Sequence, residues 1–179
     1  MAKKILSSET VFLGKVFDVR VDQVELEAGH VARVDLVVFS GAVTLVPIDD
    51  HGDLVLVRQY RHPAGEELIE FPAGTLELGE EPQACALREC QEEIGMRPGK
   101  LTSLAEIYLA PGYSTERNHI FLATDLTPST LPQDEDEEIS LVTCSPQALG
   151  RQISDGRIRD AKTIAAYFLA ATYLSWGAS

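Results

Sequence analysis

The sequence predicts an α+β protein, with strands along most of the chain and helices gathered towards its end. Three observations lead to this prediction. Early segments alternate apolar and polar residues, one segment in the middle has helical spacing, and the remaining helical segments follow the strands. The chain has 179 residues, 45% of them hydrophobic, which is enough for one compact domain with a sizeable core.

Extended segments occupy the chain before the first helix. Alternation in "VFDVRVDQVELEAG" and "HVARVDLVVFSG" predicts a hairpin from Val16 to Phe39. "AVTLVPID" and "DLVLVRQYR" predict a second strand pair, and "EELIEFPAGTLEL" predicts a further extended stretch that Pro72 and Gly74 interrupt. We therefore expect an N-terminal hairpin region over residues 1–40 and a main domain over residues 41–179.

The segment from Pro82 to Ile94 predicts a helix. Proline suits the first helical turn, and Gly95 suits the position just past the helix end. Leu87, Cys90 and Ile94 recur at helical spacing, so they predict the face that this helix turns towards the core.

The rest of the chain predicts three strands and two helices. "LTSLAEIYLAPG" and "NHIFLATDL" predict strands on either side of a loop from Pro111 to Arg117, and the acidic "STLPQDEDEEISLV" predicts a loop that enters another strand. A short helix is expected near Pro146 to Ile153. A longer one is expected from about Asp160 to Trp176, with Asp160 as its N-cap.

Composition limits the classes of function. A net charge of −13 argues against an open basic surface for nucleic acid. No apolar run reaches the length of a membrane span, and "MAKKILSSETVF" lacks the apolar core of a signal peptide. The three cysteines have no metal-binding spacing, so we expect buried thiols in a reducing cytoplasm.

Three carboxylates are crowded on one face of the predicted helix. Glu89, Glu92 and Glu93 are related as i, i+3 and i+4, a spacing at which like charges repel. With the apolar stripe on another face, we expect them to project outward. Either they form a solvated acidic surface, or they hold a hard divalent cation such as Mg²⁺ or Mn²⁺, which prefers oxygen ligands.

The complete spacing around these glutamates resembles a known motif. From Gly74 there are five residues to Glu80, then seven more to the run Arg88–Met96, "RECQEEIGM". This pattern resembles the Nudix box of hydrolases that cleave nucleoside diphosphates linked to another group. Segments beyond the box, such as "LVRQYRHPAGEELIEFPAG" and "APGYSTER", resemble bacterial ADP-ribose pyrophosphatases, whose characteristic proline corresponds to Pro111.

The resemblance implies a fold and an activity. The fold would be the Nudix fold, a mixed β-sheet between helices, preceded by an N-terminal antiparallel hairpin that crosses to a second subunit of a homodimer. The activity would be metal-dependent hydrolysis of ADP-ribose to AMP and ribose 5-phosphate, with two or three Mg²⁺ or Mn²⁺ ions. The alternatives are a pyrophosphatase of another nucleotide sugar, such as GDP-mannose, and a non-catalytic Nudix domain that senses ADP-ribose.

The resemblance also implies roles for individual residues around the metals. Glu89 and Glu93 would be the principal ligands, with Glu92 and the carbonyl of Ala73 completing the site. The residues that orient these ligands would be Glu80 and Arg88. In the acidic loop, Glu135 would be the general base and Glu137 a further ligand, with their acidic neighbours Asp134, Asp136 and Glu138 as alternatives and a solvated loop as the plain interpretation.

Substrate contacts are implied at two places. Arg61 matches an arginine near the substrate phosphates. Arg33 lies near the position of an Arg–Glu pair that touches adenine, although its spacing is off by one and Asp35 replaces the acid. A loop expected beside the ribose carries Pro111, Gly112, Tyr113 and Ser114.

Overall fold

The computed structural model describes residues 3–133 and 138–176. Within these residues the chain forms ten strands and three α-helices. The strands are β1 (Lys4–Leu13), β2 (Asp18–Glu25), β3 (Val31–Val38), β4 (Ala42–Pro47), β5 (Leu54–Arg61), β6 (Glu66–Glu70), β7 (Ala73–Thr75), β8 (Met96–Tyr108), β9 (Arg117–Pro128) and β10 (Ile139–Cys144). The helices are α1 (Pro82–Glu93), α2 (Pro146–Ser154) and α3 (Ala161–Tyr173). The predicted α+β class is confirmed.

The smaller of two compact units contains the N-terminal sheet. It spans Met1–Gly41 and Tyr108–Arg117. Its strands lie in the order β1-β2-β3, and both neighbouring pairs are antiparallel. The pairing of β2 with β3 confirms the predicted hairpin, whereas β1 was not predicted. The loop after β8 is fixed to the end of β3, because the Val37 N–H donates to the Tyr113 carbonyl at 2.7 Å and the Thr115 N–H donates to the Val37 carbonyl at 2.9 Å.

The larger unit spans Ala42–Ile107 and Asn118–Ser179 and contains two sheets. Their strand orders are β10-β5-β6 and β7-β4-β9-β8, with β4 parallel to β9 and antiparallel to β7. Every residue of β4 is buried, so this strand contributes to two apolar clusters. One cluster includes residues of α1, and the other includes residues of α2 and α3.

The helices begin and end largely where the sequence predicts. Pro82 opens α1, and Gly95 follows its end with φ of 67°, a backbone conformation that favours glycine. Asp160 caps α3 by accepting a hydrogen bond from the Thr163 N–H at 2.9 Å. Of the predicted apolar stripe of α1, Cys90 and Ile94 are buried, and Leu87 is half-buried. No helix in the described part of the chain is long and apolar enough to cross a membrane.

Candidate functional site

The crowded face of α1 is turned inward. Glu89 is 8% exposed and Glu93 is 3% exposed, so the expectation that the carboxylates project outward is wrong for these two, whereas Glu92 is half-buried. The physical reason is that α1 packs against β4 and β7, and this contact covers part of the glutamate face as well as the apolar stripe. Helical periodicity identifies residues that share a face, but it does not identify what covers that face.

Strand β7 lies directly against the two buried carboxylates, Glu89 and Glu93. A β-carbon at Gly74 would lie 1.8 Å from Cδ and Oε1 of Glu89, so only glycine leaves room for this side chain. The Ala73 N–H donates to Oε2 of Glu93 at 3.0 Å. Gly74 and Ala73 therefore hold Glu89 and Glu93 in place from the strand side.

Arg88 connects three carboxylates of the same segment. Its Nη1 donates to Oε1 of Glu89 at 2.7 Å and to Oε2 of Glu92 at 2.8 Å. Its Nε and Nη2 donate to the two oxygens of Glu80 at 3.1 and 3.0 Å. The hydrogen bond with Glu80 is the main reason that the pKa of Arg88 is raised, and the same bond lowers the pKa of Glu80 despite some opposition from burial.

A polar cavity of about 310 Å³ opens beside these groups. Its lining residues are Arg61, Ala73, Gly74, Thr75, Glu77, Arg88, Glu89 and Glu92. The structure thus brings one predicted phosphate ligand, Arg61, to the same cavity as the predicted metal ligands. Glu93 lines a separate hollow together with Glu92 and Ile139, the first residue of β10 after the acidic loop.

Sequence reasoning missed the ion pair that orients Arg61. Its Nε donates to Oε1 of Glu70 at 3.0 Å, and its Nη2 donates to Oε2 at 2.7 Å, which is a bidentate pair. Glu70 is 1% exposed and also accepts a hydrogen bond from Lys162. Burial opposes ionisation of Glu70, but the hydrogen bonds and positive charges of Arg61 and Lys162 outweigh it and lower the pKa. A lone acid in the otherwise apolar "LIEFPAG" was the available signal.

The other predicted substrate residues belong to the smaller unit. Arg33 is exposed and pairs with Asp35, with Nε 3.0 Å from Oδ1. In the loop after β8, Pro111 and Gly112 are exposed, the Tyr113 side chain is 61% exposed, and the Ser114 hydroxyl accepts a hydrogen bond from the Glu116 N–H.

Most of the predicted residues of the acidic loop lie outside the described part of the chain. Glu135 and Glu137, with Asp134 and Asp136, lie outside the described residues, so their roles stay predictions. Glu138 is described and exposed.

The carboxylates along α1 suit a hard divalent ion, which prefers oxygen ligands. Glu89 and Glu92 line the polar cavity, Glu93 lines the separate hollow together with Glu92, and Ala73 lies beside Glu93. Within residues 3–133 and 138–176 no three acidic, histidine or cysteine side chains already converge as a metal site. Arg88 is one reason that the carboxylates do not converge on a common point, because one oxygen of Glu89 and one oxygen of Glu92 accept hydrogen bonds from its guanidinium group.

Comparisons with known proteins agree on one family. Residues 38–167 match the family model described as NUDIX domain. The chain is 36% identical to the ADP-ribose pyrophosphatase of Bacillus subtilis (strain 168), over 91% of this chain and 89% of that protein. It is 39% identical to the ADP-ribose pyrophosphatase of Mycobacterium tuberculosis (strain ATCC 25618 / H37Rv), over 76% of this chain and 66% of that protein. A crystal structure of an ADP compounds hydrolase superposes with a TM-score of 0.86 at 28% identity, covering 98% of this chain and 95% of that one.

Proposed function

The chain belongs to the Nudix family, and from that premise we propose that it hydrolyses the pyrophosphate bond of ADP-ribose to AMP and ribose 5-phosphate. The observation that carries the proposal is the polar cavity that Arg61 lines together with Glu89 and Glu92. A cation that binds phosphate oxygens there stands next to carboxylates that bind divalent ions. The likeness to the Bacillus subtilis ADP-ribose pyrophosphatase supports ADP-ribose as the substrate.

Glu89, Glu92, Glu93 and the Ala73 carbonyl would hold the metal ions, with Glu137 as a further ligand. The ions would be two or three Mg²⁺ or Mn²⁺. When bound, they would neutralise the charge of the diphosphate and lower the pKa of water. Glu80 and Arg88 fix the directions of the ligand carboxylates, as the hydrogen bonds from Arg88 to Glu80, Glu89 and Glu92 suggest.

The remaining steps are carried out by protein side chains. Arg61 binds phosphate oxygens of the substrate and holds the diphosphate in the cavity. Glu135 accepts a proton from the attacking water, a contribution typically worth ~10²–10⁴ in rate. Arg33, with the loop residues Pro111, Gly112, Tyr113 and Ser114, contacts the adenosine and ribose portions.

A homodimer is proposed from the surface of β1. All ten residues of this strand are exposed, and five large apolar side chains are among them. They are Ile5, Leu6, Val11, Phe12 and Leu13, and their residues are exposed by 53%, 46%, 54%, 53% and 78%. A second copy of the chain would remove this apolar surface from water. Light scattering on the purified protein tests this, with twice the mass of one chain expected and a monomer at micromolar concentration counting against it.

We place the protein in the cytoplasm. Support comes from Cys85, Cys90 and Cys144, which are all free thiols, as expected in a reducing compartment. Fractionation of the native cells, with detection of the untagged protein, tests the location.

A substrate panel tests the activity. ADP-ribose, ADP-glucose, GDP-mannose, NADH and diadenosine compounds are offered with Mg²⁺, and release of the nucleoside monophosphate is measured. ADP-ribose is expected to have the highest kcat/KM. A preference of about tenfold or more for GDP-mannose would replace the proposed substrate and leave the Nudix assignment intact. Tight binding of ADP-ribose without turnover would favour the non-catalytic sensor instead.

A further inference from the structure

We propose that Lys162, in the first turn of α3, is a positioning residue that acts through Glu70 to set the orientation of Arg61 and the net charge of the groups around it. This inference rests on the proposed function, because it assigns Arg61 to the substrate phosphates. Lys162 does not line the cavity. Its influence on the substrate therefore passes through the two side chains between them.

A continuous series of side-chain contacts leads from α3 to the cavity. The Lys162 ammonium donates to Oε2 of Glu70 and lies 3.0 Å from Oδ1 of Asp160. Glu70 in turn receives the bidentate hydrogen bonds of Arg61, and Arg61 lines the cavity. The Glu70 side chain is buried at 1% exposure, the Lys162 side chain is half-buried at 14%, and the Arg61 side chain is 35% exposed. These contacts thus lead from the protein interior to the partly exposed guanidinium group of Arg61.

Two cations share the buried carboxylate. If Arg61 were the only counter-ion of Glu70, the pair would be neutral, and Arg61 would offer little net charge to an anion. Lys162 supplies a second positive charge at Oε2, and Asp160 supplies a second negative charge beside Lys162. The four groups are therefore neutral with Lys162 and would carry one net negative charge without it, which would oppose the binding of an anion at Arg61.

Hydrogen-bond geometry leaves one nitrogen of Arg61 for the substrate. The contacts with Glu70 engage Nε and Nη2 and do not engage Nη1. A guanidinium group is planar, so fixing one edge fixes the direction of the remaining donors. Lys162 donates to the same Oε2 of Glu70 and therefore limits the rotation of the carboxylate that accepts the Arg61 hydrogen bonds.

The backbone beside Glu70 is held by the same turn of α3. The Phe71 N–H donates to the Thr163 hydroxyl at 2.9 Å, and both residues are fully buried. Lys162 and Thr163 therefore fix consecutive residues at the end of β6. Two residues later, the Ala73 N–H contacts Glu93, so this turn of α3 supports both the arginine and a predicted metal ligand.

A double-mutant cycle tests whether Lys162 acts through Arg61. Lys162→Met is expected to lower kcat/KM for ADP-ribose and to weaken ADP-ribose binding, measured by calorimetry in EDTA, by about tenfold each. In an Arg61→Ala background the same change is expected to have less than about a twofold effect, because its target is gone. Lys162→Arg, which keeps the charge, is expected to recover most of the loss. Lys100→Met, the same change at an exposed position of β8, serves as the control.

The outcomes separate this inference from the proposed function. If the wild-type protein neither binds nor hydrolyses ADP-ribose, the proposed function and this inference fail together. If the wild type is active and Lys162→Met lowers kcat/KM and ADP-ribose binding equally with and without Arg61, the inference alone is overturned.

A second cycle covers the case in which Lys162→Met does not fold. Glu70→Gln removes the charge that Lys162 compensates, so the double variant Glu70→Gln with Lys162→Met is expected to fold. Its affinity for ADP-ribose is expected to lie within about twofold of that of Glu70→Gln alone. A further loss of about tenfold in that background would overturn the inference.

Discussion

Gly74 and Glu89 are so close that the strand backbone and the helix carboxylate exclude any side chain between them. A β-carbon at Gly74 would approach both Cδ and Oε1 of Glu89 to 1.8 Å. The glycine of the Nudix pattern thus has a packing reason in this chain, because it leaves room against β7 for the side chain of Glu89, a residue that is 8% exposed.

Gly74→Ala is therefore expected to displace Glu89 and to lower kcat at saturating Mg²⁺ by about a hundredfold or more. The activity is measured as AMP release, with circular dichroism to follow the fold.

Gly52→Ala is the matched control, because its φ of 82° strains alanine while no atom lies within 4 Å of the added carbon. It is expected to cost about 1 kcal/mol of unfolding free energy and to leave kcat unchanged. Equal losses of activity in both variants would mean that the loss in Gly74→Ala does not come from the displacement of Glu89.

Glu93→Gln is expected to remove most activity without unfolding the chain. The amide keeps an oxygen that can accept the Ala73 N–H, so packing around this 3% exposed side chain is preserved. The negative charge that attracts a divalent ion is lost. We expect kcat to fall by at least about a hundredfold, with the melting temperature within a few degrees. Near-normal turnover would show that Glu93 is not a principal ligand.

Arg88→Lys is expected to reduce kcat/KM by about tenfold to a hundredfold, although it preserves the charge. A guanidinium group reaches Glu80, Glu89 and Glu92 at once, whereas an ammonium group is a compact point charge without the planar fork. Steady-state kinetics across a Mg²⁺ titration measures the effect. A conservative exchange at the exposed Arg157, whose partner is Asp155, is the control and should change nothing.

The sequence contained the elements of the site but not all of its contacts. Helix α1 and its glutamate spacing followed from periodicity, because a helix imposes that order locally. Strand β1 was missed because its pairing shifts register between Ile5 and Ser7 and between Thr10 and Phe12, so its apolar residues cluster instead of alternating. The support of Arg61 by Glu70 and Lys162 joins residues up to 92 positions apart, and no local pattern encodes such a contact.

Acid is expected to destabilise the fold partly through Glu70. Its pKa is below the ordinary value of 4.5 in the folded chain, because Arg61 and Lys162 outweigh the opposing effect of burial. Between the folded and unfolded pKa values the unfolded state binds more protons, so stability falls as the pH drops below about 4.5. Thermal melts from pH 6 to pH 3 should show a shallower loss for Glu70→Gln than for wild type. Parallel curves would contradict the assignment.

Thiol labelling provides a test of packing around α1. Burial is the main cause that raises the pKa of Cys90 to about 12, and burial likewise raises the pKa of Cys85. Both are 0% exposed, and the thiolate is the reactive form, so neither should react with iodoacetamide at pH 8 in the native protein. Cys144 is less buried and should react before them, and all three should react in urea. Mass spectrometry of labelled peptides identifies the sites. Native labelling of Cys85 or Cys90 as fast as in urea would contradict the packing of α1 against β4 and β7.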